Sequence, residues 1–141
     1  YILFTALLLS ACSASAPEGL GIFEGTLSEC PDSPNCISSM APSSDDTHHM
    51  EALKFDNLQE ARLEVISIIM ETPRTKILTQ NQNYIHATYT STRMIFVDDV
   101  EFYFDNSTKT LQFRSASRLG HYDFGANRRR MEAFTKAYKK Q

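Results

Sequence analysis

The sequence has no excess of basic residues, no long apolar run beyond its first dozen residues, and no recognisable catalytic motif. Each absence removes a class of function. Lys and Arg number 14 against 17 Asp and Glu, a formal net charge of −3, and the isoelectric point is about 5.8. A nucleic-acid partner demands a basic face, so none is expected. Mean hydropathy is −0.32, and nothing after Cys12 approaches the roughly 20 apolar residues that cross a bilayer. Nucleophile elbow, Walker loop, paired metal motif and dinucleotide fingerprint are all missing, so neither cofactor nor metal is expected. No internal repeat occurs. With 141 residues the chain suits one domain built on one core.

What is present begins at the N-terminus. Residues 1–9 are apolar except for Thr5. With Ser10 and Ala11 the run makes a helix of roughly 16 Å, too short to span a bilayer. It fits the apolar region of a secretory signal, read here as residues 1–11. No Lys or Arg precedes it and residue 1 is Tyr, so the charged leader of the signal is expected to be missing from this sequence. Leu9-Ser10-Ala11-Cys12 resembles the lipobox of bacterial lipoproteins. Small residues admit the backbone to a peptidase cleft, and the Cys12 thiol would take the lipid. Acyl chains at about 0.8 kcal/mol per buried methylene, palmitate included, would fix the protein to a membrane. The expected location is the outer side of the cytoplasmic membrane, or an outer membrane facing the periplasm.

Cysteine is otherwise scarce. Cys30 and Cys36 remain, and a leftover pair in an exported chain points to a disulfide. Zinc is the rival, though it usually asks for four ligands at closer spacings. Residues 12–28 are small, polar and Gly/Pro-containing, which suits a lipidated, flexible tether. Residues 29–141 form the domain. Its first part is loop chemistry, and Asp45-Asp46-Thr47-His48-His49 reads as a solvated loop before a metal site.

The pattern then predicts α+β structure: a helix, a four-stranded antiparallel sheet and a C-terminal helix packed on it. Asp56 is the expected cap of the first helix and Pro73 its stop. Leu58, Ala61, Val65, Ile68 and Ile69 share a face, which Leu63, Ile66 and Met70 widen. Alternation places strands at Thr75–Gln80, Tyr84–Ser91, Ile95–Asp105 and Thr110–Ser117. Phe96, Val100, Phe102 and Phe104 share one face with Leu111 and Phe113, which puts Arg114 on the opposite face beside Asp99 or Glu101. The last helix starts between Asp123 and Asn127 and carries Met131, Phe134 and Tyr138 on its apolar stripe.

The segment from Arg114 to Arg130 holds the chemistry. Arg114, Ser115, Ser117, Arg118, Asn127, Arg128 and Arg130 surround a strand end and a helix start, a setting suited to an anion or a partner protein. The alternative is a clasp in which these arginines meet Asp98, Asp99, Glu101 and Asp123. Asp98 falls on the apolar face, where Ser115 and Ser117 are available to satisfy it. A catalytic role for Asp98 or His86 is the competing enzymatic reading, with no second acid or positioned base to support it. A purely structural envelope component is a third. The leading expectation is a lipid-anchored binding or interaction module, with no catalytic residue.

Cys30-Pro31, Pro34-Asn35-Cys36-Ile37-Ser38-Ser39, Tyr84-Ile85-His86-Ala87, Phe96-Val97-Asp98-Asp99-Val100-Glu101, Arg114 to Gly120 and Asp123 to Arg130 together resemble the domain of unknown function 1499 family of bacteria and plastids. The resemblance implies a small, often membrane-associated domain and supplies no reaction. Thr88 departs from it where an acidic residue is expected, which weakens an acid/base site on the polar sheet face.

Overall fold

The computed structural model describes residues 15–92 and 96–139; Cys12, its expected cleavage site and the expected strand start at Ile95 lie outside them. Eight elements follow in order: β1 (Cys36–Ser38), β2 (Leu53–Lys54), α1 (Leu58–Glu71), β3 (Thr75–Gln80), β4 (Tyr84–Thr90), β5 (Val97–Asp105), β6 (Thr110–Ser117) and α2 (Ala126–Tyr138). All strand pairs are antiparallel, ordered β1-β6-β5-β4-β3 with β2 also pairing with β6. The class is therefore α+β, and the four expected strands form a meander that ends at the β3 edge of the sheet. Nothing in the sequence announces β1 and β2. At three and two residues they are too short to show alternation, and the edge of β6 defines them.

Registers of Ile85 with Phe102, Ala87 with Val100, and Phe102 with Phe113 place these residues on one face. Both helices contribute to the core on that face. Ala61, Val65 and Ile69 of α1 are buried, and Phe134 of α2 sets its ring 4.7 Å from that of Phe102. Two details of α1 differ from expectation. Its cap is Asn57, whose side chain accepts from the Gln59 and Glu60 amides, rather than Asp56. Leu63 and Met70 are also exposed, at 68% and 71%. Seven residues apart, they share a side roughly opposite Val65, which no element covers among the described residues.

The sheet's second face is polar yet also covered. Residues 12–28 are expected as a tether, but the chain is fastened at Gly21, which meets this face, and at Leu27, with residues 23–26 exposed between them. The Gly21 amide donates to Glu101 Oε1 at 2.8 Å, Leu27 is buried, and its amide reaches Met40 Sδ. A buried glutamate needs donors, and this backbone supplies one. Cys30 and Cys36 form a disulfide with a Cα–Cα distance of 5.7 Å, joining the end of this strap to β1.

Candidate functional site

The residues singled out in the sequence divide between the two faces. On the helix face, Asn127 is fully buried and organises the junction of α2 with β6. Its Oδ1 accepts from Ser115 Oγ at 2.6 Å and from Arg130 Nη1 at 2.7 Å. Its Nδ2 donates to the Asn35 carbonyl, Ser117 Oγ and Asp123 Oδ2. Asp123 also accepts from the Gly125 and Asn127 amides. Burial raises its carboxyl, but those donors outweigh it and hold the group below its ordinary value.

Asp98 is not satisfied by the serines, as alternation suggested. Arg130 reaches across from α2 and donates from Nη2 to Asp98 Oδ2 at 2.5 Å. The serines turn to Asn127 instead. The other side of the Arg130 guanidinium lies 4.9 Å from the centre of the Tyr89 ring. Burial pushes Tyr89 up to about 12, opposed by Arg130.

On the second face, Glu101 is fully buried. It accepts from Tyr84 Oη at 2.8 Å and Arg114 Nη1 at 3.3 Å, besides Gly21. Burial and then the Glu101 charge drive Tyr84 far above the ordinary tyrosine range. Asp99 accepts from His86 Nε2 at 2.7 Å and from Arg118 Nε and Nη2 at 2.8 and 2.9 Å. Burial raises its carboxyl; the bonds from His86 and Arg118 prevail and keep it low. His86 thus engages Asp99 and not Arg114. Thr88 is the register partner of Asp99, so an acid there would crowd a second carboxylate against it.

Arg128 binds the carbonyls of Asp46, Thr47 and His49, fastening α2 to the loop before β2. Arg114, Arg118, Arg128 and Arg130 therefore all hold protein acceptors. His48 anchors the same loop through Asp45 Oδ2 at 2.7 Å and the Ser33 carbonyl at 3.1 Å. No metal-holding group of three or more His, Cys, Asp or Glu occurs among the described residues.

An open cleft of about 270 Å³ lies where β5 begins and α2 approaches. Phe96, Leu119, Tyr122 and Phe124 line it above a floor of Asp98 and Arg130. Leu119, Tyr122 and Phe124 are 59%, 68% and 76% exposed, and the Tyr122 and Phe124 rings stand 5.9 Å apart. Phe124 has φ of 54°, the left-handed region that bulky residues avoid. Gly125 follows at φ 76°; a side chain there would meet Arg129 Nη1 at 3.0 Å. Sequence reasoning passed over Leu119, Tyr122 and Phe124. Their signal was three large apolar residues inside a Gly-containing polar turn.

The fold and this geometry define a small α+β domain with networked polar clusters on both sheet faces and an open, aromatic-rimmed cleft. Residues 26–138 match the family described as Protein of unknown function (DUF1499), and the chain belongs to that family. No curated protein matches it.

Proposed function

We propose that this protein is a lipid-anchored component of a bacterial cell envelope whose domain is a binding module, with its contact site at the cleft beside α2. Phe124 carries the reading. A phenylalanine 76% exposed and held in the left-handed region contributes little burial and costs about 1 kcal/mol of strain. Such an arrangement serves contact with something else. A small anion is the weaker choice of ligand, because the arginines once considered for it already hold carboxylates and carbonyls. His86 borders a separate opening of about 630 Å³ beside Leu20 and Tyr84, but Asp99 is fully engaged by His86 and Arg118, which favours a structural role for the pair over catalysis.

The anchor reading rests on Leu9-Ser10-Ala11-Cys12. Ser13, rather than Asp, at the next position supports an outer-membrane destination where the host has one. Expressed behind a basic leader, the protein should incorporate labelled palmitate, and Cys12→Ala should abolish it; equal labelling of both ends the anchor proposal. The binding reading is tested by a ligand-observed NMR screen of compact apolar and amphiphilic compounds. Hits should bind wild type and be lost in the Leu119→Ser, Phe124→Ser double variant. If the two proteins retain the same compounds, or neither retains any, the cleft is not the site.

A further inference from the structure

Resting on the cleft as the contact site, we infer that its ligand carries a compact aliphatic ammonium group, seated over Asp98 and ringed by Phe96, Tyr122 and Phe124. Asp98 is 7% exposed. It gives Oδ2 to Arg130, while Oδ1 accepts from no donor among the described residues, and Asp98 is one of the residues that line the cleft. A carboxylate edge left open to a cleft favours a cation beside it.

The surrounding charges favour a cation. Asp98 and Asp123 line the cleft against one guanidinium, Arg130. That guanidinium is engaged by Asp98, Asn127 and Ser115, and Tyr89 takes its face. It has little left to offer an anion. The rim then adds aromatic rings, whose faces attract an alkylated cation as well as covering its methyl or methylene groups. A neutral apolar group would fill the same space without answering the cleft's excess of carboxylates. Arg129 has its Nη1 held by the Phe124 carbonyl at 2.6 Å and is not among the residues that line the cleft. The volume of about 270 Å³ admits a headgroup-sized ion. Ethanolamine-type and choline-type groups share this chemistry, whether free or carried on a lipid.

The test titrates the full chain with tetramethylammonium, ethanolammonium and the neutral choline isostere 3,3-dimethyl-1-butanol, following the Tyr122 and Phe124 ring protons by NMR. Both ammonium ions should saturate these shifts, at least tenfold more tightly than the neutral alcohol. Asp98→Asn should erase that preference. Because Asp98 also holds α2, Tyr122→Leu is the second variant: it keeps apolar bulk, removes the π face, and should weaken the cation severalfold while sparing the alcohol. Vesicles with a phosphatidylethanolamine surface, set against phosphatidylglycerol alone, separate the sources. Preferential recruitment marks a lipid headgroup; binding of the free ions without recruitment marks a soluble amine, and either supports the ammonium assignment. Equal or tighter binding of the alcohol overturns that assignment and leaves the cleft as an apolar site. Failure of all three compounds overturns it too, and the separate NMR screen then decides the fate of the cleft itself.

Discussion

At the scale of single residues, the structure separates side chains that serve stability from those that do not. Phe124 belongs to the second group. Replacing it with Asn, which tolerates the left-handed region, should stabilise the domain by about 1 kcal/mol while removing its contribution to binding. A denaturant melt that shows Phe124→Asn less stable than wild type contradicts this account. Arg114 belongs to the first group, since Glu101 beside it is fully buried. Arg114→Ala should cost about 3 kcal/mol, because a desolvated carboxylate loses its cation; an unchanged melt would show Tyr84 and Gly21 to suffice. Asp99 yields a pH signature. Its carboxyl lies below the ordinary value near 3.8, so its contribution is complete above that value and vanishes as pH falls through the folded one. Asp99→Asn should therefore be less stable than wild type near neutrality, and lose stability less steeply below about pH 4. Parallel acid limbs in the two proteins would rule the linkage out.

At the scale of elements, what the sequence revealed depended on repetition. The faces of α1 and α2, and the alternation of β3 to β6, each repeat a hydrophobic choice several times, so period alone identifies them. The strap has no such period. It is placed by Gly21 meeting Glu101 across 80 residues of chain, a pairing invisible to local pattern. The Asp98–Arg130 pair was missed for the same reason. Alternation located Asp98 on the apolar face, but only the approach of α2 selects its partner. Caps are similarly local yet ambiguous when polar residues adjoin. Asn57→Ala should cost about 1 kcal/mol and Asp56→Ala much less; the reverse order in thermal melts would reassign the start of α1.

At the scale of the whole molecule, the sheet is covered on both sides, by helices on one and by residues before Cys30 on the other. Deleting residues 15–28 should lower the melting temperature and expose Glu101 to water, although no regular element is lost. An equally stable shortened chain would show the strap to be passive. The disulfide gives this cover a mechanical meaning. If the chain is held by its N-terminus, a pull loads the strap first, breaking the Gly21–Glu101 bond and then drawing Leu27 from its buried position. Unravelling then meets Cys30, whose bond to Cys36 passes the force into β1 and, through the Cys36–Ala116 register, across the hydrogen bonds to β6. The covalent ring acts as an end stop. Slack of some eight residues can be paid out and taken up again while the domain beyond it, with its cleft, stays folded.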